Sequence, residues 1–472
     1  MKRLRQLLFP GLAAAWLAAG CRGIATQSEK AARRQAQTAA ADYRPHGVKP
    51  VLPALTENSS LSNYLAYALL NQPKVETAYY DWQAAVERIT QARSLPDPQF
   101  TFQMNIQNIV TSVMPGLMGV IPWPDKLRVG AQIASAEAES RQGAFRSAVL
   151  ASAFDVKRAY YQLYFLVDKV RVDRETLQLL NDLETTARAQ NQAGKVTLQD
   201  VLRAQIEQSS LKTEITNLED SRSALVAQFK AALGLRGQEP TPPLPARFEP
   251  TALDLSGDQV LATALAHNTQ LQAMAADVRA AEAAITLARR GQWPDFNLGL
   301  AADVKANPTS YSVPGTPGTV SLPIWRDKIA AEIAEAQANK NAAQARLTDA
   351  QISLAVEVAA RSYFYRETTR NLALLDNELL PKARLSLELA RAGYLAGQLD
   401  FFNLIDTERT LLRFELDKVE VATQREIVLA ELSLIVQGMP SSVTALGAAG
   451  QTTTPGSGSA RSATTRGSGG GM

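Results

Sequence analysis

Two rhythms of apolar and polar positions run through this chain, and they predict different elements. In FTFQMNIQNIV, Phe100 to Val110, the residues Phe100, Phe102, Met104 and Ile106 alternate with Thr101, Gln103, Asn105 and Gln107, the period of a strand with one apolar and one polar face. Further along, Phe296, Leu298, Leu300, Ala302 and Val304 alternate with Asn297, Gly299, Ala301, Asp303 and Lys305. A return strand with Val320, Leu322 and Ile324 follows a loop holding Pro308, Pro314 and Pro317. Between Asp97 and Asp125 no charged residue occurs, yet Pro115, Pro122, Pro124, Gly116 and Gly119 oppose a spanning helix there. The pattern predicts two strand pairs, at about 98–124 and 295–325, and therefore four strands.

Almost everything else follows a period of three to four. From Lys126 to Gln192 nothing breaks the helical pattern, with Tyr160, Leu163, Val167 and Val170 on one stripe, which predicts a rod of about 100 Å. After Ala193-Gly194 a return helix from Thr197 to Leu233 gives about 55 Å, and an earlier helix from Pro73 to Arg93 adds about 30 Å. Two shorter helices stacked end to end nearly match the long one. The second half does the same, with a long rod from Lys328 to Leu395 and a turn at Ala396-Gly397. Gly194 and Gly397 are expected to take the left-handed conformation that ends a helix. Tyr160, Tyr161, Tyr363 and Phe364 recur at matching places and are expected to pack between rods.

These parallels make the chain a tandem repeat. ALLNQPKV (Ala68 to Val75) aligns with ALAHNTQL (Ala264 to Leu271), and PQF (Pro98 to Phe100) with PDF (Pro294 to Phe296). VKRAYYQLY (Val156 to Tyr164) aligns with VAARSYFYR (Val358 to Arg366), and ARAQNQAGKVTLQDVL (Ala187 to Leu202) with ARAGYLAGQLDFFNLI (Ala390 to Ile405). The predicted organisation is a signal peptide at 1–20, a tether at 21–57, a first repeat at 58–236, a connector at 237–255, a second repeat at 256–438 and a disordered tail at 439–472. The connector GQEPTPPLPARFEP is too rich in proline for a continuous helix. The tail is polar and Gly-rich, without apolar anchors.

Composition adds where the chain would reside. Lys2, Arg3 and Arg5 precede an uncharged apolar stretch from Leu7 to Ala19, the form of a secretory signal rather than a spanning helix. It ends at Cys21, the one cysteine of the sequence. LAAGC resembles the lipobox of bacterial lipoproteins, whose cysteine is acylated, although Ala18 stands three before the cysteine and Leu17 one earlier. The other reading is a signal followed by a free thiol. Arg22 comes next, where an aspartate would resemble an inner-membrane retention signal, so the outer membrane is expected. Removing residues 1–20 takes three of 49 basic residues and leaves 46 against 46 acidic ones. A neutral chain gives no electrostatic case for nucleic acid.

Four strands close no barrel, and a bilayer tolerates no open sheet edge. Strands of this length in a membrane would therefore belong to a barrel shared by several chains. The lipobox, the duplicated strand pair followed by DK and a long helix, and turns of the form A-G-x-x-x-x-x-[DN]-[VL]-[LI] resemble the TolC-like outer-membrane efflux protein family over about Ser59 to Gly438. SLPDPQF and IPWPDKL are similar to its heavy-metal branch.

The resemblance implies a mainly α protein with a small transmembrane β part. Long helical hairpins would form a periplasmic α-barrel, and four strands per chain would contribute to a 12-stranded barrel of a homotrimer in outer-membrane lipid. It implies a passive exit duct of a tripartite system, working with a periplasmic adapter and an inner-membrane pump of the RND type, to export small toxic compounds or metal ions without a cofactor. It places the periplasmic gate at Asn403 and Asp406, matched in the first repeat by Asp200 and Arg203. It places adapter docking at the turns, on Gly194, Lys195, Gly397 and Gln398. Asn403 departs from the acidic residue usual in the family. An enzyme is not expected: His46 and His267 stand apart from any Ser, Cys or acid at a triad or metal spacing, and no Gly-rich phosphate loop follows a strand. The rival class is a periplasmic helical lipoprotein acting as a structural or adapter component, which needs hairpins but not charge-free strand pairs.

Overall fold

The computed structural model describes residues 25–56, 58–106, 110–194, 196–244, 257–306, 309–312 and 318–438. Cys21, Lys195, most of the connector and the tail lie outside the described residues.

The chain runs α1 (Gln27–Tyr43), α2 (Leu61–Asn71), α3 (Pro73–Arg93), β1 (Gln99–Ile106), β2 (Val110–Ile121), α4 (Pro124–Gln192) and α5 (Leu198–Ala232). The second repeat follows the same order with α6 (Gly257–His267), α7 (Thr269–Arg290), β3 (Asp295–Ala301), β4 (Asp303–Ala306), β5 (Thr309–Ser312) and β6 (Thr319–Ser321). It continues through α8 (Arg326–Leu374), a π turn (Leu375–Leu379), α9 (Leu380–Leu395) and α10 (Phe401–Gln437). At 69 residues, α4 is a rod of about 100 Å. Its upper half packs on α3 and on α7 from the other repeat, and its lower half on α5. At the crossing with α7 a side chain on Gly143 would meet Ala273 Cβ at 2.6 Å, so the absence of one lets the two helices touch.

The second long rod is not the uniform α-helix that the periodicity predicted. Pro381 has no N–H to donate and its ring crowds the carbonyl four residues back, and the wider π turn at Leu375–Leu379 takes up that mismatch just before it.

Apolar stripes meet in layers along the rods. Beneath the sheet, Tyr79, Trp82 and Ile89 of α3 close on Ala131, Ala134 and Ala138 of α4. At mid-height Tyr64, Tyr160, Tyr161 and Phe229 form an aromatic cluster. Nearest the turns, Leu183 and Ala187 meet Leu387, Tyr394, Phe401 and Leu404 across the two hairpins. Tyr160 and Tyr161 thus pack between rods as expected, whereas Tyr363 and Phe364 are about half exposed and face out of the chain. The repeat sets their spacing but not their neighbours: Tyr160 and Tyr161 are enclosed by Tyr64 of α2, Phe229 of α5 and Val419 and Ala430 of α10.

The junctions between short and medium helices also repeat. Asn71 Nδ2 donates to Leu233 O, and Gln72 Nε2 to Ala231 O and Ala232 O, satisfying carbonyls at the end of α5. In the second repeat Asn268 Nδ2 donates to Ile435 O at the end of α10, while its Oδ1 accepts from Gln270 N and Leu271 N.

Helix α1 lies where the sequence suggested a tether. Thr26 caps it by accepting from Glu29 N, and TQSE carries the spacing of a helix start. Glu29 is buried and pairs with Arg93 of α3 at 2.7 Å and with Arg33 at 3.2 Å. Burial pushes its carboxyl up, but the bonds from Arg33 and Arg93 outweigh that and hold it below the usual range.

Candidate channel wall and periplasmic tip

The strands form one antiparallel sheet in which β2 is central, paired with β1 on one side and with β3 and β4 on the other. β6 continues the sheet from β3 and β5 from β4. β3 and β4 are one line interrupted at Ala302, and β5 with β6 is its return, so the six segments make four strand lines. β5 lies inside the stretch expected as a loop. Its Thr-Ser-Tyr-Ser sequence carries no apolar alternation, and the main-chain pairing of Thr309–Ser312 with Asp303–Ala306 does not require one.

Register turns the alternation into two faces. Ile121, Phe296 and Val320 share one cross-strand row, Phe100, Leu117 and Leu300 a second, and Met104, Val113 and Val304 a third. On this face Phe100, Phe102, Met104, Leu298 and Leu300 are all more than half exposed. Among the described residues no helix covers it. On the opposite face Ser112 and Asp303 are buried, and Asn297 Nδ2 donates to Thr319 Oγ1 at 3.1 Å. Among the described residues the outer edges of β1 and of β5 and β6 have no strand partner.

An aromatic and charged belt closes the sheet where it meets the helices. Trp123 and Trp293 stack with centroids 5.0 Å apart, and Phe296 lies 6.4 Å from Trp123. Lys126 Nζ donates to both Asp295 oxygens at 2.9 Å and to Trp293 O, and Asp125 pairs with Arg128 and Arg290. The belt joins the two repeats, because each contact except Arg128 with Asp125 reaches from one to the other. An apolar band that ends in stacked indoles and then in ion pairs is the profile of a strand leaving hydrocarbon for water. Among the described residues no helix is long and apolar enough to cross a membrane.

At the far end, Gly194 (φ 69°) and Gly397 (φ 71°) take the left-handed conformation and are exposed. Gly194 N donates to Asn191 O, and Gln398 N to Gly393 O, tying off α4 and α9. Gln398 is exposed beside the second turn. Each return helix begins with a side-chain cap. In α5 Asp200 Oδ2 accepts from Thr197 N and Thr197 Oγ1, and in α10 Asp400 Oδ1 accepts from Asn403 N. Asp200 therefore has a structural role that the sequence signals in the T-x-x-D spacing of a capping box.

Four gate candidates occupy equivalent places on the first two turns of α5 and α10. Arg203 leans across to the other hairpin with its guanidinium 5.1 Å from the Phe402 ring centroid, next to Asn403. Asp406 is exposed one turn further on, and its charge helps hold the Arg409 guanidinium, which pairs with Glu207. Asp200 approaches Tyr394 of the other hairpin, whose phenol is pushed up by burial and then by that carboxylate. The structure thus brings Asp200 and Arg203 against the second hairpin, while Asn403 and Asp406 point to solvent. Among the described residues no group of His, Cys, Asp and Glu has the arrangement of a metal centre.

Comparison with known proteins bears on both ends. Residues 260–436 match the family model described as outer membrane efflux protein. The cobalt-zinc-cadmium resistance protein CzcC of Cupriavidus metallidurans is 24% identical over 343 residues, covering 69% of this chain and 77% of that protein. Among solved structures, the outer-membrane channel OprN superposes with a TM-score of 0.67 at 17% identity, over 80% of this chain and 90% of that one. The outer membrane protein VceC of Vibrio cholerae gives 0.66 at 16% identity, over 80% and 96%.

Proposed function

We propose that this chain, a TolC-like outer membrane efflux protein, is the exit duct of a tripartite efflux system. One observation carries the reading furthest: a four-line sheet with an exposed apolar face, a belt of indoles and ion pairs below it, and, among the described residues, both outer edges unpaired. Backbone groups at such edges cost several kcal/mol each in hydrocarbon, so other copies must supply the missing strands. Three copies would give 12 strands, a number that closes a barrel with an aqueous lumen, and the resemblance to the TolC-like family, which implies a trimer, favours that number. The polar face, with Asn297, Thr319 and Asp303, would line water.

Below the barrel, the rods of three copies would form the periplasmic tunnel. The exposed turns around Gly194, Lys195, Gly397 and Gln398 would meet a periplasmic adapter linked to an inner-membrane pump, which supplies the energy. Asp406, with Asn403 beside it, would line the tip on the three-fold axis. The N-terminus of α1 supports anchoring at Cys21: Ser28 lies against Ser135, about 16 Å along α4 from the base of the sheet. The five residues between Cys21 and Gln27 can span up to ~20 Å, enough to bring an acyl chain to the bilayer.

Similarity to a cobalt-zinc-cadmium resistance protein makes divalent metal ions the first cargo to test. Deleting the protein should sensitise its host to cobalt, zinc and cadmium salts or to apolar drugs, and raise the retained amount of whichever is exported. Unchanged tolerance and retention across both classes would contradict the duct.

A further inference from the structure

Two acids lie inside the wall of the rods, far from the strands; Glu408 stands two residues beyond the gate candidate Asp406 but is buried where Asp406 is exposed. Asp173 of α4 is 0% exposed and Glu408 of α10 3% exposed. Both line a cavity of about 200 Å³ between the hairpins, shared with Thr176 and Leu180 of α4, Glu207 and Glu214 of α5, and Arg409 and Leu412 of α10. Among the described residues neither oxygen of Asp173 has a hydrogen-bond partner, and Glu408 Oε2 is likewise without one. Burying an ionised carboxylate without a bond is costly, and a protonated one costs far less.

The charges around each acid do not remove that cost. Asp173 faces Lys169 on its own helix, but Lys169 is 3.9 Å from Glu214 of α5, which pushes the other way. Glu408 faces Arg391 of α9, but also Glu415 of its own helix, which pairs with Arg384. Arg409 also lines the cavity, but it is taken by Glu207, with the charge of Asp406 adding to that hold.

We propose that this cavity is a proton-dependent joint between the two hairpins, in which neutral Asp173 and Glu408 let the hairpins pack and their ionisation loosens the seam. The direction follows from linkage. Burial first, with Lys169 opposing and Glu214 reinforcing, raises Asp173 to about 6. Burial, with Arg391 opposing and Glu415 reinforcing, raises Glu408 to about 7. The packed seam therefore binds protons more tightly than the opened one. Its stabilisation is fully present below the ordinary carboxylate range and is lost as pH rises through 6 and then 7. The seam lies within one chain, so the inference stands whether or not the protein is a duct.

The test is hydrogen exchange, read by mass spectrometry on the full-length protein in detergent at about pH 5 and about pH 8, with rates corrected for intrinsic base catalysis. Peptides spanning 170–180 and 404–416 should exchange several-fold faster at the higher pH, while a reference peptide at 131–138 should not change. In Asp173→Asn with Glu408→Gln, the pH response of the seam should disappear, leaving protection near the low-pH level. Equal protection at both pH values in the wild type would overturn the proposal, as would an undiminished pH response in the double variant. Failure of Glu408→Gln to fold would also overturn it, since that amide mimics the neutral acid the packed seam is said to favour.

Discussion

At the residue scale, the tip shows how one carboxylate can be occupied while its neighbour is free. Asp200 caps the helix that it begins, with two bonds to Thr197, so its removal would loosen the first turn of α5 as well as any charge effect. Such a cap is worth about 0.5–2 kcal/mol. Asp406 caps no helix: it is exposed, Thr410 Oγ1 donates to its main-chain oxygen, and its carboxylate acts at a distance on Arg409, which Glu207 already holds by direct contact. Three copies brought together would concentrate its charge at short range. Asp406→Ala should accordingly raise the leak conductance in a planar bilayer and weaken cation selectivity, leaving the thermal midpoint within a degree or two. Unchanged conductance and selectivity would remove Asp406 from the gate. Arg203, stacked on Phe402 of the other hairpin, holds the two tips to each other, a role that its alignment with Asp406 did not suggest.

At the element scale, the outward face of β1 separates a membrane strand from a strand awaiting a protein cover. Phe102 is 56% exposed in the middle of that strand. A cation at bilayer depth costs about 2–4 kcal/mol on a barrel's lipid face. Phe102→Arg should therefore lower the amount of protein assembled in outer membranes, while Gln103→Arg, on the other face, should be tolerated. Equal assembly of the two variants would argue that the sheet is not in lipid. Period-two alternation made β1 and β3 legible, and period 3.6 with Gly-Pro punctuation gave the boundaries of α3, α4 and α5 to within two residues. β5 was not legible because its pairing uses backbone alone. Helix α1 carried a capping signal in TQSE and a stripe of Ala32, Ala36, Ala39, Ala40 and Tyr43 at helical spacing, but alanine marks a buried face weakly; the folded chain shows that this stripe packs on α3 and α4 and that the buried Glu29 pairs with Arg93, 64 positions away. The π turn was foreshadowed by Pro381, which a reading for unbroken periodicity passes over.

At the scale of the whole molecule, the two repeats are held by contacts that only a folded chain reveals. β2 pairs with β3, α4 packs on α7, and Trp123 stacks on Trp293. Each of these joins one repeat to the other, so the two repeats share one sheet and one layer of rods, and among the described residues that sheet has two open edges. Tyr363, Phe364, Ile352 and Val356 are exposed along α8, where a neighbouring copy of the proposed trimer would cover them. The candidate site was legible at the turns, where spacing alone located Gly194 and Gly397. It was not legible along the seam, where Asp173 and Glu408 read as ordinary helix-surface acids until the hairpins are brought together.

Whether other copies complete the sheet in a membrane decides between a duct and a helical scaffold. The direct measurement is the native mass of the full-length protein extracted by detergent from separated outer and inner membranes. A mass three times that of the chain, found in the outer-membrane fraction, is the predicted result. A monomer, in the soluble fraction or the inner membrane, would contradict the shared barrel and leave a helical lipoprotein whose strands some other protein must cover.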